Sequence, residues 1–127
     1  MKALLDTHTF LWAITNDKRL SARASQIFTG PHDLYLSVAS IWEIMLKRQR
    51  GRLPVPAPAG QYLVRQLAQN HIEVLPIELD HLLMLEELPS KHNDPFDRVM
   101  IAQSMVEKMP LVSADAMLKK YRIELIW

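Results

Sequence analysis

A mainly parallel α/β fold, with helices covering both faces of the sheet, is what this sequence predicts, and three observations predict it. Short apolar runs alternate along the chain with stretches of helical periodicity. No hairpin signal such as Asn-Gly separates any two apolar runs, so consecutive strands are expected to be joined by crossovers rather than tight turns. The chain has 127 residues, 49% of them hydrophobic and 23% charged, which suffices for one core and not for two; residues 1–127 are expected to form a single domain.

The elements follow in order. Ala3-Leu4-Leu5 is a short strand ended by Asp6-Thr7, after which Phe10, Leu11 and Ile14 mark a helical face. Ser21 opens a second helix, whose apolar positions Ala24, Ile27 and Phe28 keep helical spacing until Gly30-Pro31 stops it. Leu34-Tyr35-Leu36 is the second strand, and Ser37 or Ser40 caps a helix reaching Gln49. Gly51 with Pro54, Pro56 and Pro58 makes an extended connection to a helix near Tyr62–Gln69. The third apolar run spans Ile72–Ile77, with Pro76 late in it, and a helical stretch His81–Leu88 stops at Pro89. Asp94-Pro95 opens the most apolar helix, which runs through Val99-Met100-Ile101-Ala102 to Met109 and is ended by Pro110. Leu111-Val112 and Ile123–Ile126 are the last strands, on either side of a small helix starting near Asp115.

Composition narrows the chemistry. There is no cysteine, which excludes disulfides, thiolate metal sites and a cysteine nucleophile. No run approaches the length of a membrane span, and Asp6-Thr7-His8 breaks the opening apolar run before a secretory segment forms, so a cytoplasmic protein is expected. The net charge of +1 conceals an asymmetry: residues 1–65 carry nine Lys or Arg against four Asp or Glu, and residues 66–127 carry six against ten. The densest cationic run, Lys47-Arg48-Gln49-Arg50-Gly51-Arg52, reads either as a solvated helix end opposing the dipole or as a phosphate-contacting patch. Neither a Gly-x-x-x-x-Gly-Lys-Ser/Thr loop nor Gly-x-Gly-x-x-Gly occurs, no two of the five histidines have zinc-site helical spacing, and no Gly-x-Ser-x-Gly elbow surrounds a serine. Of the histidines, His8 and His92 lie beside acidic junctions and are candidates for phosphate contact.

The acids are the informative feature. Asp6 follows the first strand, Glu43 lies early in the helix after the second, Asp94 and Asp97 open the most apolar helix, and Asp115 follows the fourth strand. In a parallel sheet these junctions share one edge, where ligands of such sheets bind. Carboxylates gathered there repel one another unless cations neutralise them, and hard divalent ions take oxygen ligands of this kind. Each acid also has a purely structural explanation. Asp94-Pro95 is a cap followed by a first-turn proline, Ser40-Ile41-Trp42-Glu43 has the form of a capping box, Glu43 is spaced to pair with Lys47, and Asp6 and Asp115 suit helix caps. Their joint placement at one edge favours a site.

Leu4-Leu5-Asp6-Thr7-His8-Thr9-Phe10-Leu11-Trp12-Ala13, Ser37-Val38-Ala39-Ser40-Ile41-Trp42-Glu43-Ile44 with Lys47, His92-Asn93-Asp94-Pro95-Phe96-Asp97-Arg98 with Ile101-Ala102-Gln103, and Val112-Ser113-Ala114-Asp115 together resemble the PIN-domain (PilT N-terminus) ribonucleases. Within that family the chain looks like the VapC-type toxins of bacterial type II toxin–antitoxin systems. The resemblance spans essentially the whole chain and implies a three-layer α/β/α domain with a five-stranded sheet in the order 3-2-1-4-5. It implies Mg²⁺- or Mn²⁺-dependent endoribonuclease activity, with tRNA or rRNA as substrate, inhibition by a cognate antitoxin, and a homodimer. Carried over by position, Asp6, Glu43 and Asp115 match family acids. Of the two acids in the Asp-Pro-Phe-Asp block, Asp97 is the better match for the remaining one, though its spacing to Ile101-Ala102 is longer than in many members; Asp94 is a second metal contributor or a cap. Asp6, Asp97 and Asp115 are then expected to hold metal and Glu43 to orient or deprotonate water. Lys47, Arg48, Arg50, Arg52 and Arg98 are expected to contact RNA, and Thr7 and Ser113 to support the carboxylates. A PIN-like module that binds RNA or protein without cutting is the alternative. A receiver-type signalling domain fits less well, because Asp6 stands alone after the first strand and no lysine follows the last.

Overall fold

The computed structural model describes residues 1–89 and 93–127; His92, a candidate phosphate contact, lies outside the described residues. Five strands, β1 (Lys2–Leu5), β2 (Asp33–Ser37), β3 (Ile72–Leu75), β4 (Leu111–Val112) and β5 (Leu125–Ile126), pair entirely in parallel in the order β3-β2-β1-β4-β5. Among the described residues six α-helices connect them: α1 (Thr7–Ile14), α2 (Ala22–Thr29), α3 (Val38–Gln49), α4 (Ala59–Gln69), α5 (Leu79–Met84) and α6 (Pro95–Glu107). The expected parallel sheet and its strand order are therefore both present.

The two-residue period of the strands divides the core into two. Ala3 and Leu5 of β1, Leu34 and Leu36 of β2 and Val112 of β4 face one layer, where they pack with Phe10 of α1, Ala24 and Ile27 of α2, Ile44 of α3 and Leu63 and Leu67 of α4. The residues between them, Leu4, Tyr35 and Leu111, face the opposite layer of Leu88, Met100, Ile101 and Ala102. Central strands buried on both faces read as continuous apolar runs, which is why β1 is Ala-Leu-Leu without alternation.

Helix boundaries differ from the sequence reading where two residues compete for one role. Ser37, not Ser40, caps α3, its Oγ accepting from the Ala39 N–H at 3.0 Å. Ser40 and Glu43 therefore lie inside the helix and are buried, and the expected Ser40–Glu43 capping box does not form. Gly51, at φ +70°, follows the end of α3 in a conformation that other residues adopt at a cost. β3 ends at Leu75, one residue before Pro76, which has no N–H to continue the ladder. The freed Pro76 carbonyl accepts from Gln103 Nε2 of α6 at 3.1 Å. The helical stretch expected over 81–88 starts earlier, at Leu79, and passes into a 3₁₀ turn over Leu85–Glu87. His81 is buried there: Nδ1 accepts from the Glu78 N–H at 3.0 Å, so Nε2 carries the proton and donates to Glu107 at 2.8 Å, tying α5 to the end of α6. The small helix after Asp115 is a 3₁₀ segment, Ala116–Lys120.

Candidate active site

The strand order reverses between the parallel strands β1 and β4: from β1 the chain builds outward through β2 to β3, and from β4 it builds outward on the other side to β5. Crevices at the carboxyl ends of strands open at such a reversal. Asp6 follows β1 directly and Asp115 lies three residues after the end of β4, so the reversal brings them to one mouth. A cleft of about 450 Å³ opens there, lined by Asp6, Glu43, Asp94, Asp97 and Asp115. All five acids singled out in the sequence are thus brought together, although they come from four separate segments.

Their surroundings distinguish them. Asp6 occupies the N-cap position of α1, but its side chain makes no capping bond. It accepts instead from the Ser113 hydroxyl at 2.5 Å, and Ser113 Oγ also accepts from the Asp115 N–H at 3.1 Å, so one buried serine ties the ends of β1 and β4 together. Burial pushes the Asp6 carboxyl above its ordinary range; Ser113, His8 and the Thr7 backbone oppose this, while Glu43 adds like-charge repulsion. Glu43 is buried on α3 and doubly held. Thr7 Oγ1 lies 2.8 Å from Oε1, and Lys47 Nζ, one turn along α3, is 2.5 Å from Oε2. Thr7 Oγ1 is also 2.9 Å from Ser40 Oγ. A hydroxyl has one proton and an ionised carboxylate only accepts, so Thr7 donates to Glu43 and accepts from Ser40. Thr7 and Ser113 thus each hydrogen-bond one of the cleft carboxylates.

Asp94 is a helix cap. Its Oδ1 accepts from the N–H groups of Phe96 and Asp97 at 2.9 and 3.1 Å, with Pro95 at the first helical position. Asp115 caps the 3₁₀ segment through Met117 N–H at 3.0 Å. Asp97 stands in the first turn of α6, facing the cleft. Replacing Asp94 by Ala should cost about 1 kcal/mol of stability, and replacing it by Ser should restore most of that. Chemical denaturation of both variants tests this; equal stability of Asp94→Ala and wild type would remove the capping role.

The cations sort unevenly. Of the expected RNA contacts, Lys47 lines the cleft, paired with Glu43. Arg48 Nε donates to the Val55 carbonyl at 2.9 Å, and Arg98 donates to the carbonyls of Leu85 and Pro89 at 3.3 and 3.1 Å, so both are engaged in holding loops. Arg50 and Arg52 are exposed beyond the end of α3. Arg19, which sequence reasoning missed, lines the cleft together with His8 and Trp12. Its guanidinium lies over the Trp12 ring, 4.9 Å from the centroid, and is gripped by Asp17 through contacts of 3.0 and 2.9 Å. Arg19 holds the Asp17 carboxyl down at about 2. No local pattern marks Arg19, since the 15–21 loop brings it to the cleft.

The donor set is all oxygen, as hard divalent cations require. Among the described residues no three of His, Asp and Glu stand close enough to enclose one ion. Mg²⁺ usually retains several waters and takes one or two carboxylates together with substrate phosphate rather than a closed protein cage. Asp6, a half-buried carboxylate with no cationic side chain bonded to it among the described residues, is the group that a cation would relieve most. Among the described residues no helix is long and apolar enough to cross a membrane.

Comparison with known proteins adds four findings. A family model described as the PIN domain matches residues 3–124. Over 120 residues, 94% of this chain and 91% of the relative, the sequence is 29% identical to Ribonuclease VapC22 of Mycobacterium tuberculosis (strain ATCC 25618 / H37Rv). The fold is similar to that of VapBC2 from Rickettsia felis bound to a DNA fragment from their promoter, with a TM-score of 0.72 at 14% identity, covering 98% of this chain and 97% of that one. It is also similar to a toxin–antitoxin complex from Klebsiella pneumoniae, with a TM-score of 0.66 at 13% identity and coverage of 98% and 96%.

Proposed function

The chain belongs to the PIN-domain family, and from that premise we propose that it is a Mg²⁺- or Mn²⁺-dependent endoribonuclease, the toxin of a type II toxin–antitoxin pair. The observation that carries the reading is the convergence of Asp6, Glu43, Asp94, Asp97 and Asp115 on one cleft at the reversal of the sheet. The identity to a ribonuclease over nearly the full length of both chains supports the reaction class. The fold shared with toxin–antitoxin complexes supports a cognate antitoxin as protein partner. A homodimer is part of the same proposal, as is an RNA substrate of the tRNA or rRNA class.

In this mechanism water attacks the phosphorus of an RNA phosphodiester and one P–O ester bond breaks, the ribose oxygen leaving with the bonding pair and taking a proton from solvent. Of Asp6, Asp97 and Asp115, one or two would hold the divalent ion directly and the rest through its bound waters, with Asp94 beside them. When bound, the ion supplies Lewis-acid activation of water and neutralises charge developing on the phosphate oxygens. Glu43 orients the water and takes its proton, while Thr7 fixes one carboxylate oxygen and Lys47 the other. Ser113 holds Asp6 in place. Among the described residues Lys47 and Arg19 are cationic side chains lining the cleft, and Arg50 and Arg52 extend positive charge beyond α3, so RNA binding should weaken as salt rises.

The test is cleavage of a pool of structured cellular RNAs by purified, antitoxin-free protein with Mg²⁺, with Mn²⁺ and with EDTA, alongside Asp97→Asn. Discrete cuts are expected in either metal and none in EDTA or with the variant. Cutting by Asp97→Asn at the wild-type rate would remove Asp97 from the site. Absence of cutting by folded wild-type protein on its own cognate RNA fraction would leave a non-cleaving binding module.

A further inference from the structure

Beside the carboxylate cleft lies a second trough of about 420 Å³, and the two share His8, Trp12 and Arg19 as a common wall. Its far side is built differently. Leu11 and Ile14 of α1, Tyr62 of α4 and the segment Leu53–Pro56 present an apolar surface, whereas Thr15, Asp17 and Arg19 supply the polar groups. A concavity with apolar walls and a few convergent polar groups is the ordinary form of a small-ligand site.

We propose that this trough is a subsite for one nucleobase adjacent to the phosphodiester being cut, with the Trp12–Arg19 pair as its stacking platform. The proposal rests on the ribonuclease reading and names how that substrate is held. A nucleobase has flat apolar faces and a polar edge, which matches walls of Trp12, Tyr62 and the proline segment with donors and acceptors at Arg19, Asp17 and Thr15. Both an indole ring and a guanidinium plane accept stacked bases, and here one lies on the other. Asp17 grips the Arg19 side chain through two oxygens and also accepts from its backbone N–H at 2.9 Å, so the platform is set before any RNA arrives. The shared wall supplies the continuity that a nucleotide requires: its phosphate lies over the carboxylates and its base falls into the neighbouring trough. The volume suits one base with its ribose rather than a folded segment of a protein partner.

Equilibrium binding to the Glu43→Gln protein in Mg²⁺, which keeps Asp6, Asp97 and Asp115, tests this with two probes, a short single-stranded RNA of randomised sequence and a ribose-phosphate oligomer of the same length without bases. The RNA should bind about tenfold more tightly than the abasic oligomer, the scale of one base stacked on an aromatic ring. Adding Trp12→Leu should abolish that ratio while leaving abasic binding unchanged, with melting curves confirming the fold. Cross-linking of 4-thiouridine RNA to the protein with Trp12 intact provides a readout independent of that variant, and adducts should map to Trp12 or to residues 53–62. Equal binding of the two probes, or cross-links found only elsewhere, overturns the subsite while leaving the ribonuclease reading intact, and assigns the trough to a protein partner. Binding of neither probe overturns the RNA reading, and the subsite with it.

Discussion

Replacing Asp6 by Asn is expected to reduce RNA cleavage by at least about a hundredfold and, with no divalent ion present, to raise the melting temperature above that of wild type. The two effects have one origin. The Asp6 carboxyl is half-buried beside Glu43, where desolvation outweighs its partners, and is bonded by a neutral hydroxyl rather than a cation. Its ionised form is therefore less favourable in the folded chain than in the unfolded chain. Asn keeps an oxygen that accepts from Ser113 and removes the charge, so the fold gains what the carboxylate costs, and the cleft loses the group that draws a cation to it.

The pH dependence follows from the direction of the shift. An acid whose pKa is raised on folding binds protons more readily in the folded state, so its ionisation destabilises the fold. That cost is fully present above the folded pKa and is relieved as pH falls through it. The melting advantage of Asp6→Asn should accordingly be largest at neutral pH and shrink on acidification towards about pH 4. Mg²⁺ should raise the melting temperature of wild type at neutral pH and leave the variant nearly unchanged, because an ion that binds only the folded state stabilises it by mass action. A variant that melted below wild type at neutral pH without divalent ion would show that Asp6 is satisfied by its surroundings and has no need of a cation.

How much of this was legible depends on how local each feature is. The alternation of apolar runs with helical faces marked every strand, and the acids at strand ends were visible because β1 and α6 announce themselves by Leu4-Leu5-Asp6 and Asp94-Pro95. The Glu43–Lys47 pair is a one-turn spacing and was equally readable. The choice between Ser37 and Ser40 was not, since both precede good helical sequence and only β2 pairing through Ser37 with Leu75 decides where the strand stops. Strand order has no local signature, because apolar residues on β1 pack alike whichever neighbours they have; it came from family resemblance alone. Arg19 was invisible for a related reason. Its place at the cleft depends on Asn16 at φ 51° and on the ring of Trp12, and neither can be inferred from the residues flanking the arginine.

Glu43→Gln makes the same chemical change as Asp6→Asn, a carboxylate to its amide, in the same cleft, and is expected to have the opposite effect on stability. Cleavage should again fall by at least about a hundredfold, because the group proposed to take the proton from water is gone. The fold, however, should lose about 1–2 kcal/mol. Glu43 is 4% exposed at its side chain and Lys47 29%, so the ammonium sits partly out of water and leans on the carboxylate for its charge. The amide still accepts from Thr7, but it offers Lys47 no negative charge. Adding Lys47→Met removes the stranded ammonium and should recover most of the lost stability without recovering any cleavage. Urea denaturation and single-turnover cleavage of the three proteins separate the two roles. Full stability in Glu43→Gln would mean that Lys47 is satisfied by solvent, whereas recovered cleavage in the double variant would mean that the proton from water goes somewhere other than Glu43.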